Sequence, residues 1–514
     1  MTRASAPQRT LIVILAWACI ACSPDYTAQP SRSATIQAVA WPDTLTETDT
    51  TTLTVRITTS AGDTVSGVPV QWSSSDPSTL SVTPGIATDT SLQMRLTAPL
   101  HAVAVARRTG TVTIAVSIPD GGILSPAAFE KTVVISQHWT SITAGYRHSC
   151  GITIRNDAYC WGGAAPGLNI KLGNGSSAGS TIPSKVIGGI QFRAVTAGSE
   201  HTCGASLDGQ LFCWGDNQAG AIGNGTTVPQ FSPTSVFYGV SFKSVVAGAG
   251  YTCSISIIDT AVCWGDDTYG QLGVPNPLGG CGATPCNTVP DTVASGGSVL
   301  RAISISSAEK HSCAVLLTQR AYCWGDNTLG NLGNGTPNAS SVPVPVAGTD
   351  RFTTISAGAN STCAITTDGR LLCWGTSLYG ELGGGATNTV CDGLPCSRTP
   401  VAVSGTRTYR AISVRGRSAC AIGADSLAYC WGLNDHGQIG ASAGLTTCTG
   451  RPCATTPTLV DGLGKIAAIS TGARHACAVA VTGVAYCWGQ NVDGELGSGS
   501  TVDAAKPVRV SDPR

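Results

Sequence analysis

At 514 residues the chain exceeds a usual single domain, so repeats or several domains are expected. Charged residues make up only 12% of it, with 63 glycines and 2 methionines, which excludes ion-pair-laced helical architecture and favours turn-rich β structure. Thirty basic residues balance thirty acidic ones, so no long-range attraction to phosphate backbones exists and nucleic acid is excluded as a partner.

The first 22 residues read as an export signal. Arg3 and Arg9 precede the apolar run Leu11–Trp17, which is too short to span a bilayer comfortably. The ending Ile20-Ala-Cys22-Ser23 resembles a bacterial lipoprotein box, which implies lipidation at Cys22 and transfer of the mature protein to an outer membrane or cell surface. Cys19 stands where that pattern usually has leucine, so a plain secretory signal is the alternative. Residues 23–33 are polar and proline-containing, as a tether would be. No later segment is expected to cross a membrane, which leaves the lipid as the sole anchor.

From residue 34 to 136 there is no cysteine, and apolar and polar residues alternate. Leu53, Val55 and Ile57 share one strand face; Val112, Ile114, Val116 and Ile118 share another; Val68, Val70 and Trp72 begin a third strand. Short alternating strands over about a hundred residues suggest a β-sandwich. The stretch Val70-Gln-Trp72-Ser-Ser-Ser-Asp76-Pro77 resembles bacterial immunoglobulin-like domains, which implies a spacer.

From residue 138 to 514 the chain repeats. A cysteine, nine residues and then Cys-Trp-Gly occur seven times. The pairs are Cys150 with Cys160, Cys203 with Cys213, Cys253 with Cys263, Cys313 with Cys323, Cys363 with Cys373, Cys420 with Cys430 and Cys477 with Cys487. First cysteines are separated by 53, 50, 60, 50, 57 and 57 residues. A period near fifty with several strands and glycine-rich turns per unit is the signature of a propeller. Each unit from the second onward follows a Pro- and Val-containing strand such as Val342–Val346. The first lacks one and a spare copy, Lys506–Val510, ends the chain. That final strand is therefore expected to complete the first unit and close the ring.

The repeat text, such as Trp264-Gly-Asp-Asp-Thr-Tyr-Gly270-Gln-Leu-Gly273 and Trp324-Gly-Asp-Asn-Thr-Leu-Gly330-Asn-Leu-Gly333, resembles the regulator of chromosome condensation repeat. The resemblance covers all seven units and implies a seven-bladed β-propeller. The nuclear members of that family have no need of the cysteine pairs.

The hairpin explains the spacing. With Leu207-Asp208-Gly209 as a three-residue loop and Gly209 left-handed, Ser206 faces Gln210 and Cys203 faces Cys213, at bridging distance. Units 3, 4 and 6 carry Asp259, Gln319 and Ser426 in place of the glycine, so strain or another turn type is expected there. Each bridge over so small a loop adds roughly 2–3 kcal/mol by chain entropy. Three further pairs, Cys281 with Cys286, Cys391 with Cys396 and Cys448 with Cys453, follow the Gly-x-x-Gly turns of units 3, 5 and 6. With every cysteine beyond the leader locally partnered, the thiols belong in an oxidising compartment.

His148, His201, His311 and His475 lie two residues before a cysteine and invite a metal reading. Tyr251, Ser361 and Ser418 take the same place in the other units, so packing or hydrogen bonding is favoured and no metal or cofactor is expected. Asp216, Asp266 and Asp326, with Asn217 and Asn327, fit turn capping, and the seven tryptophans fit core. No nucleophile–base–carboxylate set stands out, so no catalytic residue is assigned and the protein is expected not to be an enzyme. The three Cys-x4-Cys loops sit at equal positions in their units, hence on one face, and are the candidate contact surface. The reading is a monomeric, surface-anchored binding protein for an extracellular protein or glycan. The alternative is an inhibitor of a secreted enzyme, which the family resemblance includes; guanine-nucleotide exchange is disfavoured for an exported chain.

Overall fold

The computed structural model describes residues 34–59, 64–65, 70–84, 100–118, 127–163, 170–236, 239–274, 279–281, 284–384 and 389–513. Cys19, Cys22 and the tether lie outside the described residues, as do Val68, residues 60–63 and 119–126 and the tip of the Cys281–Cys286 loop. Among the described residues there are strands and turns and no helix.

The alternation at the start of the chain builds two sheets. One runs Ala34–Ala40, Thr50–Thr59, Leu100–Ala106, Leu80–Pro84; the other runs Thr44–Thr46, Ala127–Ser136, Gly110–Ile118, Gln71–Ser74. Leu53, Val55 and Ile57 meet Val112, Ile114 and Val116 between them, all essentially without solvent exposure. The period of two thus places every second residue of both sheets in one shared core. Trp41 closes it, stacked on Trp72 with centroids 5.7 Å apart.

Between Trp139 and Arg509 seven antiparallel sheets follow one another, each built on four strands taken in chain order. In unit 2 these are Phe192–Ala197, His201–Ser206, Leu211–Gly215 and Gln230–Ser235. Cys203 lies opposite Cys213, with Ser206 N donating to Gln210 O across the turn.

All seven hairpin pairs are disulfide-bonded, with Cα atoms 4.0–4.1 Å apart. Cys150 is joined to Cys160, Cys203 to Cys213, Cys253 to Cys263 and Cys313 to Cys323. Cys363 is joined to Cys373, Cys420 to Cys430 and Cys477 to Cys487. In each unit the two cysteines face each other across the second and third strands, so the ten-residue spacing puts both sulfurs on one side of the sheet. The three loop pairs are bonded too: Cys281 to Cys286, Cys391 to Cys396 and Cys448 to Cys453. Ten bridges suit an oxidising compartment.

Of the two alternatives expected for the hairpin turns of units 3, 4 and 6, strain is the one found: Asp259, Gln319 and Ser426 take the same left-handed conformation, with φ between 64° and 69°, as Gly209 does at 88°. One sequence expectation is revised: the ring is not closed by exchange of the final strand. Ala504–Arg509 pairs with Ala485–Gly489 of its own unit, and unit 1 has its own outer strand, Ser180–Lys185. The Pro- and Val-containing strand before each hairpin is the outer strand of the preceding unit, so every unit is contiguous in sequence.

A shared carbonyl recurs at the junctions of neighbouring units. Trp214 Nε1 donates to Lys171 O of unit 1 at 2.9 Å, and Thr202 Oγ1 donates to the same oxygen at 2.9 Å. His148 Nε2, from unit 1, then meets Thr202 Oγ1 at 2.8 Å. The set recurs with Trp264, Thr252, His201 and Ala221 O, and with Trp374, Thr362, His311 and Asn331 O. Between the last unit and the first it recurs with Trp161, Ser149, His475 and Glu495 O, so the same contact seals the ring. Where unit 3 has Tyr251 its hydroxyl takes the place of the imidazole, 3.0 Å from Ser312 Oγ. Units 6 and 7 carry Ala419 and Ala476 in place of the hydroxyl residue, and the units before them carry Ser361 and Ser418 in place of histidine. Histidine is thus present where the next unit offers a hydroxyl. Burial holds His201 and His475 down at about 3 and His311 at about 4, so the imidazoles are neutral, and with the threonine proton committed to the carbonyl, Nε2 is the donor.

The glycine after each Leu/Ile lies against the next unit's tryptophan. A Cβ on Gly223 would stand 2.5 Å from Trp264 Nε1, which is why the motif ends in glycine. Asn217 Oδ1 accepts from Ile222 N at 2.9 Å and Asn327 Oδ1 from Leu332 N at 3.0 Å, tying each turn to the leucine position.

Thr202→Val should destabilise by about 1–3 kcal/mol, because His148 loses its buried acceptor while volume is kept; Thr202→Ser should be nearly neutral. Denaturant titration at neutral pH distinguishes the two. Gln319→Gly and Ser426→Gly should each raise stability by roughly 0.5–1 kcal/mol by relieving left-handed residues, read as an increased melting temperature.

Candidate functional site

Antiparallel strands reverse direction at each turn, so a four-stranded unit presents its first-to-second turn and its third-to-fourth connection at one face. Its cysteine hairpin turn and the link to the next unit lie at the other. The two-sheet sandwich sits against the hairpin-turn face. Glu47, nearly unexposed, is paired with Arg155 of the unit 1 turn, whose Nε donates to it at 2.5 Å. Thr46 Oγ1 donates to Thr482 O of the unit 7 turn at 3.2 Å, and Gln137 N donates to Asp512 Oδ1 at 2.7 Å.

The three Cys-x4-Cys loops belong to the opposite face. Each is a short ribbon added to its unit: Cys286 lies opposite Asp266, Cys396 opposite Thr376 and Cys453 opposite Leu433. Cys286, Cys391, Cys396 and Cys453 have no exposed surface, so the bridges are packed struts. Among the described residues no three His, Cys, Asp or Glu side chains gather as metal ligands.

At the centre of this face lies a depression of about 370 Å³, lined among others by Tyr146, Glu309, Tyr379, Arg417, Arg451 and Arg474. Among the described residues of the three loops it is the third that reaches it, through Arg451, which pairs with Asp435 at 3.0 Å. Cys448 and Cys453 back this loop against Leu433 and Tyr379. The described residues of the unit 3 and unit 5 loops do not line the depression.

Beneath it Arg415 crosses the ring. From unit 6, its Nη1 donates to Ala197 O of unit 2 at 2.8 Å and its Nη2 to Ala247 O of unit 3 at 2.6 Å. The equivalent position is glycine in units 1, 2, 3, 5 and 7 (Gly145, Gly198, Gly248, Gly358 and Gly472), and Ala308 in unit 4. Glycine leaves the axis open, and one arginine suffices to floor it. Burial brings Arg415 down to about 10, so it stays charged at neutral pH. The sequence signal for this residue is its break in the Ala-Gly pattern, Val414-Arg415-Gly416, which no local motif marks.

The cations on the wall are held by their neighbours. Arg417 lies over the Tyr379 ring at 5.1 Å. Arg474 Nη1 donates to His436 Nε2 at 3.1 Å, while His436 Nδ1 donates to Asp503 Oδ2 at 2.8 Å. These contacts orient the guanidinium groups without neutralising them.

The RCC1-like domain profile matches residues 117–461, more than half of the chain, and regulator of chromosome condensation (RCC1) repeat profiles match 466–495 and 482–514. The chain belongs to the RCC1-like family. The ultraviolet-B receptor UVR8 of Arabidopsis thaliana is 27% identical over 387 residues, covering 74% of this chain and 72% of the receptor. Yeast RCC1 (Prp20), solved bound to Kap60, superimposes with a TM-score of 0.59 at 18% identity, covering 69% of this chain and 84% of that one. Human WBSCR16 gives 0.59 at 18% identity over 70% and 94%. At these identities the solved structures speak for the RCC1-like propeller fold alone.

Two positions of the RCC1-like repeat carry a buried acid where other units have Gln271 or Gln438. Burial pushes Glu381 and Glu495 up to about 7, although each accepts a backbone N–H, from Tyr379 at 2.7 Å and Asp493 at 2.9 Å. A carboxyl with a raised folded pKa lends stability that is complete below its unfolded value of 4.5 and is lost as pH rises through about 7. The depressed histidines act oppositely: their stability is complete above 6.5 and is lost as pH falls through 3–4. Melting temperature should therefore peak at mildly acidic to neutral pH. Asp267, pushed up to about 6 by burial, sets the part of the fall up to that pH, so Glu381→Gln with Glu495→Gln should remove the fall above about pH 6 and leave the acid limb unchanged, by calorimetry across pH.

Proposed function

We propose that this RCC1-like protein is an exported, non-catalytic recognition module held at the cell envelope. Cys22 is lipidated, residues 23–33 tether the chain, and residues 34–136 are an immunoglobulin-like spacer. Residues 138–514 form a closed seven-bladed ring that binds a protein or glycan ligand as a monomer. The observation that carries this reading is sidedness. The sandwich occupies the hairpin-turn face through Glu47 and Thr46, so the face with the cysteine loops and the central depression is turned away from the anchored end.

The chemistry of that face supports binding rather than turnover. Its distinctive groups are oriented arginines and tyrosines. The acids with strongly raised pKa values, Asp267, Glu381 and Glu495, lie buried and accept backbone N–H groups. A rigid ring presenting unrepeated loops is the usual way a propeller recognises a partner. Prp20p, a related fold, is described by its binding to Gsp1p and histones. This chain, with a formal charge of zero, shares the scaffold and not the basic balance that DNA-associated partners favour.

The test is retention of envelope proteins and arrayed glycans by the immobilised, disulfide-intact protein. Shortening the loops at Cys281–Cys286, Cys391–Cys396 and Cys448–Cys453 to two-residue turns should abolish retention, while replacing Leu207 and Ile257 on the hairpin-turn face by serine should not. The reverse pattern would transfer the binding surface to the sandwich side.

A further inference from the structure

Resting on the reading that the face away from the sandwich is the recognition face, we propose that its central depression binds the carboxylate of an acidic sugar, with Arg417 and Arg474 as the charged anchors. The site is built from three observations.

The first is unspent charge. Among the described residues neither Arg417 nor Arg474 forms a close ion pair with a carboxylate, and the one acid in electrostatic reach of Arg417, Glu381, is buried with its carboxyl pushed up to about 7. Arg417 is seated on a tyrosine ring and Arg474 on an imidazole nitrogen. Both guanidinium groups are exposed at the depression yet held in place, so little side-chain freedom remains to be lost on binding. A planar fork of donors fixed in this way suits a carboxylate or another planar anion.

The second is closure. Arg415, with both terminal nitrogens engaged on carbonyls of units 2 and 3, blocks the axis below. The depression is therefore a cup and not a channel, and its volume of about 370 Å³ admits one compact unit. Arg415 adds positive potential from beneath, in a region shielded from solvent.

The third is the mixture of groups at the rim. Glu309 and Asn360 line the same cup, and Asp435 stands beside Arg451. A multiply charged phosphate would be repelled by these carboxylates, whereas a singly charged acid that also carries hydroxyls can donate to them. Tyr146, 43% exposed at the edge, offers an aromatic face of the kind on which sugar rings stack. Anionic charge, hydroxyl donors and a flat apolar face together describe a uronic-acid-type residue better than an aspartate or glutamate side chain.

The experiment is calorimetric titration of the full, disulfide-intact protein at low salt with trigalacturonate. Its neutral methyl ester, a triglutamate peptide and inorganic phosphate are run in parallel. Trigalacturonate should bind with at least tenfold preference over each of the other three. Arg417→Ala with Arg474→Ala should lower its affinity at least tenfold without changing the melting temperature, and the paired lysine variant should recover part of the loss. Equal binding of the ester, tighter binding of the peptide or phosphate, an unaffected double alanine variant, or no binding of trigalacturonate would each overturn the proposal. If the double variant still retains the envelope ligand and only loop shortening releases it, the anionic cup falls while the assignment of the face stands. If loop shortening also has no effect, the face assignment falls with it.

Discussion

One backbone carbonyl per unit recurs as a tie at every junction of this ring. It lies just before the Leu-Gly that ends each turn, and it receives the next unit's indole N–H and, in five of the seven junctions, that unit's hydroxyl. The remaining two junctions keep the indole alone, Trp431 on Glu381 O and Trp488 on Gln438 O. An oxygen with two lone pairs, buried between sheets, must find donors or lose stability. The repeat text follows from that need: tryptophan to reach the oxygen, glycine so that the indole can lie close, and histidine where a hydroxyl is left with an acceptor to offer. Because the contact from unit 7 to unit 1 has the same form, closure requires no exchanged strand.

The cysteine pairs act on a different part of the unit. They tie the second strand to the third within each sheet, whereas the carbonyl contact ties sheet to sheet. The hairpins are stiffened covalently and the junctions remain noncovalent. A ring in an oxidising environment gains resistance to unfolding from the first without constraining the second. The loop bridges extend this stiffness outward, and in unit 6 the bridge braces the segment that carries Arg451 toward the centre.

Repetition also shows where to look for function. Residues that recur in register, including the four histidines, are consumed by the junctions. The unrepeated residues lie on the axis and its rim, where Arg415 replaces glycine, and Arg417 and Arg474 stand on Tyr379 and His436. The sandwich claims the other face, so scaffold and candidate site are separated by the thickness of the ring.

The sequence by itself determined what is local. The cysteine pairing, the left-handed turn at Gly209, the inward faces of Leu53 and Val112, and the turn role of Asn217 follow from spacings of at most about ten residues, within which backbone geometry leaves few alternatives. Tertiary structure decided whatever depends on a choice between equivalent neighbours. A Pro- and Val-containing strand lies between two hairpins in the chain, and only packing settles that it pairs with the one before it. The histidine partners lie one unit away, about fifty residues on, and Arg415 reaches units 2 and 3 from unit 6, contacts that no spacing encodes. Equal position in the repeat placed three loops on one face, but the distance from each loop to the axis is a property of the ring, and among the described loop residues it admits Arg451 alone.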